Sequence, residues 1–218
     1  MARLEKRVLG EIRGRVGNVV IKLRNGKQYI ASRPSKYTMS KASHEVDKRN
    51  RFKVNGLFAK TIKESKLLYS IWDKEKAPAA SAYNKICKIN FKLCNTARPS
   101  TQNLITPGGF NLPVETFSYF PDKIEAELKP FDIFPGEKLM IFILLISFYE
   151  PTRNEADYFT IKRIDNYELD ELKLTFNFNT AEKQTAFAYS NRIAFLAAVT
   201  QDEAGNIVRW SETLSREL

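Results

Sequence analysis

The chain has 218 residues, 43% of them hydrophobic and 28% charged, with 9 Gly and 9 Pro. That composition supports a buried core and excludes a disordered or collagen-like chain. The net charge of +10 is unevenly placed: residues 1–98 carry 24 Lys/Arg and 7 Asp/Glu, whereas residues 99–218 carry 11 and 18.

Residues 1–13 form a basic leader, charged throughout, without the apolar stretch of a secretory signal; synthesis in the cytoplasm without a signal peptide is expected. Residues 16–23 and 27–32 read as two strands of a hairpin. Asn25-Gly26 between them suits the positive φ angles of a tight turn, and Pro34 ends the second strand. The stretch 14–34 holds five Lys/Arg, and no acidic residue occurs from 12 to 44.

Two helices are predicted next. Residues 41–72 place Val54, Leu57, Phe58, Ile62, Leu68, Tyr69 and Trp72 at helical spacing, with Ser40 as the N-cap. A second helix over 78–94 starts at Pro78 and runs through Ala82, Ile86, Cys87, Asn90 and Cys94. The short connection predicts an antiparallel pair with a lysine-rich outer face. Residues 95–113 hold three Pro and two adjacent Gly, the composition of a linker.

Strand-like segments follow at 114–120, 123–128, 138–149, 158–164, 172–178, 186–199 and 206–214. The run 139–149 is the longest apolar run, interrupted only by Ser147; it is too short for a membrane helix of about 20 residues and suits a strand buried on both faces. About seven strands in about 100 residues, separated by turn signals, predict an immunoglobulin-like sandwich. The expected fold class is therefore α+β. Its parts are a basic hairpin and helical-pair region (1–94), a linker (95–113) and an all-β sandwich (114–218).

No residue pattern carries a reaction. Gly10, Gly14 and Gly17 lack the spacing and the following helix of a phosphate loop. His44 has no evident orienting partner, and Glu168, Asp170 and Glu171 read as a solvated turn. Cys87 and Cys94, seven apart on a helix, read as small buried hydrophobes rather than as a disulfide. No catalytic residue, cofactor, metal or membrane insertion is expected. Phe52, Phe58, Tyr69 and Trp72 interleave with basic residues; at helical spacing they are read as core rather than as stacking platforms for bases.

The N-terminal motif carries a resemblance. Gly14, Val16, Gly17, Asn18, Val19 and Val20, followed by Arg33-Pro34 and by Arg51-Phe52-Lys53, resemble a domain family common in Bacteroidetes. The closing stretch "FLAAVTQDEAGNIVRWSETL" resembles that family's last hairpin. The resemblance implies the architecture and no activity.

A basic half seeks an acidic partner. The residues expected to contact it are Arg13, Arg15, Lys22, Arg24, Lys27, Arg33, Lys36, Arg49, Arg51 and Lys53. The reading is a non-enzymatic structural or adaptor protein that docks into an assembly of protein subunits, further copies of itself among them. A phage virion or virion-like particle is the assembly named first. The alternative is a nucleic-acid-binding protein that uses the same basic half.

Overall fold

The computed structural model describes residues 2–3, 14–24, 26–33, 38–132, 134–148, 159–168, 172–189 and 191–217, with only the backbone at 2–3, 24, 159–168 and 185–188. It is an α+β structure of two compact units, Met1–Ala42 and Ser43–Leu218.

The first unit is a four-stranded antiparallel sheet in the order β1 (Ala2–Arg3), β4 (Lys27–Ser32), β3 (Val19–Arg24), β2 (Gly14–Val16). The expected hairpin is present as β3 and β4, with Gly26 at φ +71° in its turn. The strand expected over 16–23 is two strands. Val16 pairs with Val19 across a second tight turn, where Gly17 sits at φ +57°. Pro34 lies outside the described residues.

The second unit has three layers. A five-stranded sheet forms the middle: β11 (Ile207–Trp210), β10 (Asn191–Gln201), β7 (Lys138–Phe148) and β8 (Phe159–Glu168), with β12 (Leu214–Glu217) also pairing with β10. Helices α1 (Ser43–Glu64), α2 (Lys66–Lys74) and α3 (Ala82–Asn90) cover one face. A three-stranded sheet of β5 (Val114–Tyr119), β6 (Lys123–Leu128) and β9 (Lys173–Asn177) covers the other. Hence β7 is apolar without alternation. Phe142, Leu144, Ile146 and Phe148 join the helical core, while Leu139, Ile141, Ile143 and Leu145 join the sandwich core. In β10, every residue from Ile193 to Thr200 is buried for the same reason.

The helices differ from expectation in their ends. The single helix expected over 41–72 is broken at Ser65, whose extended backbone and hydroxyl, accepting from Leu68 N, restart the chain as α2. The restart lets Leu68, Ile71 and Trp72 turn fully into the core. Ser81 rather than Pro78 opens α3, its side chain accepting from Asn84 N. The strand expected over 186–199 gives way at its start to helix α4 (Thr180–Ala188), set by a capping box between Asn179 and Glu182.

The largest correction concerns the segment 95–113 and the domain boundary placed there. The segment is a strap packed into the second unit. Ile105, Asn103 and Thr106 have no exposed surface. Asn103 Nδ2 donates to Asn90 Oδ1 (2.9 Å), and Leu104 N donates to the same oxygen (2.8 Å). Trp72 Nε1 donates to Ile105 O (2.8 Å), Thr106 Oγ1 to Ser211 O (2.8 Å), and Phe110 N to Trp210 O (3.0 Å). Helices and sandwich share a core, so the chain divides at Ala42 and not within 95–113.

Candidate functional site

The register of the N-terminal sheet sorts its side chains. Residues directly opposite one another share a face, as do residues two apart. Arg15 lies opposite Val20, which lies opposite Ala31; Lys22 lies opposite Tyr29. Lys27, Tyr29 and Ala31 alternate along β4, and Arg33, whose N–H donates to Asn18 O at 2.8 Å, continues that row. Arg15, Lys22, Lys27 and Arg33 therefore share one face with Tyr29. Val16, Val19, Ile21, Leu23 and Ile30 share the other. All four of those basic residues are exposed.

Two further positions extend the pattern along the backbone. Arg24 pairs with Lys27 at the hairpin end, and Arg3 pairs with Tyr29. Like charges directly opposite one another destabilise a strand pair. Among the described register pairs, Arg24–Lys27 is the position where this applies, and a negative partner there would relieve the repulsion. Arg13 and Lys36 lie outside the described residues.

The remaining three expected residues sit on α1, and the helix separates them. Arg49 and Lys53, four apart, are exposed together with Lys48 and Phe52. Arg51 is half-buried, its guanidinium 6.0 Å from the centre of the Phe91 ring. Lys48, Arg49, Phe52, Lys53 and Phe91 line an open depression of about 440 Å³. The aromatic reading needs dividing too. Phe58 and Trp72 are fully buried and Tyr69 is partly so, but Phe52 is 65% exposed. Leu57, expected in the core, is also exposed. The sequence did signal Phe52: it falls three to four residues from Arg49 and Lys48, off the spacing of Val54, Phe58 and Ile62.

Other reactive groups are engaged in structure. Cys94 is buried beside Asn103, whose Nδ2 donates to Sγ at 3.2 Å, and burial pushes its thiol up to about 11. Such a thiol is a poor nucleophile at neutral pH. Cys87 is free, and burial raises its thiol as well. His44 Nε2 lies 3.2 Å from its exposed neighbour Glu45. In the acidic half, Arg209 meets Glu137 at 3.0 Å and stacks on Phe134; Arg98, the last residue of the basic half, stacks on Phe148 at 3.8 Å. Among the described residues, no group of three or more His, Cys, Asp or Glu could hold a metal ion, and no helix is long and apolar enough to cross a membrane.

The arrangement can offer a positively charged sheet face and a basic, aromatic helix surface. Compared with family models, with curated proteins and with solved structures, the chain matches none.

Proposed function

We propose that this chain is a non-enzymatic structural or adaptor protein, held in an assembly of protein subunits by its N-terminal sheet. The observation that carries the reading is the sorting of Arg15, Lys22, Lys27 and Arg33 onto one face of a separate compact unit. Charge supports the same unit as the dock. Met1–Ala42 carries 11 Lys/Arg against 2 Asp/Glu, whereas Ser43–Leu218 carries 24 against 23. The chain's surplus charge thus belongs to the sheet. Its role is to find and orient an acidic protein surface, and β2, an edge strand among the described residues, is the element for pairing. A virion or virion-like particle is the assembly this reading puts first.

The larger unit is read as an immunoglobulin-like sandwich carrying a helical layer. Strand order supports this: β5-β6-β9 corresponds to A-B-E, and β7-β10-β11 to C-F-G. The fourth strand in sequence, β8, lies at the edge of β7 instead of beside β9.

Tyr29 favours a second reading. It sits in a row with Lys22 on the basic face, the combination a nucleic-acid strand uses for stacking and phosphate contact. One experiment tests both. The variant with Arg15, Lys22, Lys27 and Arg33 all changed to Gln should fold normally and join its assembly less well than wild type at low salt, the difference shrinking as salt rises. Equal incorporation at every salt concentration contradicts the dock. Weaker binding to DNA or RNA with a shallower salt dependence, and unchanged incorporation, selects the second reading.

A further inference from the structure

We propose that the Ser43–Leu218 unit associates head to tail with a second copy of itself, the exposed Phe52 of one molecule entering an acid-rimmed depression of the next. This goes beyond the reading of the N-terminal sheet and does not depend on it.

Phe52 is the donor element. A phenyl ring at 65% exposure on a helix leaves apolar surface in water, and seating it in a partner removes at most about two thirds of the roughly 150–250 Å² that an aromatic residue can bury. Lys48, Arg49, Lys53 and Phe91 line the same depression, with Lys48 also 2.9 Å from Glu45. An aromatic ring ringed by cations fits a socket that is apolar at its floor and acidic at its rim.

The same unit carries such a socket. A depression of about 450 Å³ is lined by Pro135, Gly136, Ala204 and Val208 together with Glu137, Asp202 and Glu203. Val208 is 46% exposed, and Phe134, next to Pro135 in the chain, is 55% exposed. The rim is held in place. Asp202 accepts from Asn206 N at 2.7 Å, and Glu137 meets Arg209 at 3.0 Å. Hydrogen bonds from Asn206 keep the Asp202 carboxyl below the usual range, so it stays ionised near neutral pH.

One molecule cannot fill its own socket. The socket lies where β7 begins and β10 ends, at the Lys138–Gln201 pair. Lys74 reaches Ile207 O at 3.1 Å, which sets the end of α2 there; Lys85, early in α3, donates to Asp73 O and Glu75 O. From that end α3 runs away to Asn90 and Phe91, and the following Arg98 stacks on Phe148, at the opposite end of β7. Eleven extended residues separate the two ends, about 35 Å.

Charge matches the geometry. Residues 43–98 carry 13 Lys/Arg and 5 Asp/Glu, residues 99–218 carry 11 and 18, and the unit as a whole is nearly neutral. Two different patches in contact make a heterologous interface, which propagates into a ring or filament instead of stopping at a dimer.

Sedimentation velocity of the full chain, nuclease-treated, over a concentration series tests this. Wild type should form species larger than a dimer as concentration rises, less so at high salt. Phe52→Asp, lacking the ring, and Val208→Lys, with a blocked socket, should each remain monomeric. Their equimolar mixture should stop at a dimer, because one intact ring meets one intact socket. Lys53→Glu and Glu203→Lys provide a milder pair, each weakening association and their combination in one chain restoring it. A wild type that stays monomeric throughout, or association of either Phe52→Asp or Val208→Lys equal to wild type, overturns the proposal.

Discussion

Gly109 shows how one residue fixes the strap. Its φ is +134°, and a Cβ there would lie 2.0 Å from Trp210 O. The absent side chain is what lets Phe110 N reach Trp210 O and Glu212 N reach Phe110 O. Gly109→Ala should therefore cost about 3 kcal/mol through strain and overpacking together, read as a lowered denaturant midpoint. At Gly108, beside it, a Cβ would meet no atom within 4 Å, so its neighbour bears the steric constraint.

Cys94 gives a pH signature. Burial raises its thiol in the folded protein to about 11, above the unfolded value of about 8.5. The folded state thus holds the proton more tightly than the unfolded state. That contribution is complete below the unfolded value and is lost as pH rises through it towards 11. Wild type should lose stability faster than Cys94→Ala between about pH 9 and 11, measured by urea unfolding at several pH values. Parallel curves would contradict the assignment.

At the scale of elements, the middle sheet sets the organisation. Removing α1–α3 would bare Phe142, Leu144, Ile146, Phe148, Phe195 and Val199. A chain of residues 99–218 should consequently aggregate or fail to unfold cooperatively, while one of 43–218 should unfold in a single transition. A soluble, cooperative 99–218 would restore the boundary that composition suggested.

What local pattern could show, it showed: the Asn25-Gly26 hairpin, most strands of the sandwich and the doubly buried β7 all follow from turn chemistry and apolar runs. The strap was illegible because its partners, Trp210, Ser211 and Thr213, lie a hundred residues further on. Pro and Gly there serve close packing as well as they would serve a free linker. Helix α4 was legible and missed: Asn179-Thr-Ala-Glu182 is a capping-box sequence, overshadowed by the apolar run that follows. On the N-terminal sheet, basic composition was visible, but the sorting of its faces depends on the Gly17–Asn18 turn, which resets the register of β2 against β3.

The whole molecule combines a strongly basic small sheet with a larger, nearly neutral and internally polar body. On the proposed reading, that division of charge makes the sheet the part that would find the partner and the body the part that would be presented. Sedimentation of untreated lysate tests this most directly, comparing the full chain with one beginning at Ser43, each with and without nuclease. The full chain should travel with a large particle that survives nuclease, and the Ser43 chain, folded, should stay out of that particle. Equal sedimentation of the two would contradict docking through the N-terminal sheet, and release of the full chain by nuclease would contradict a protein partner.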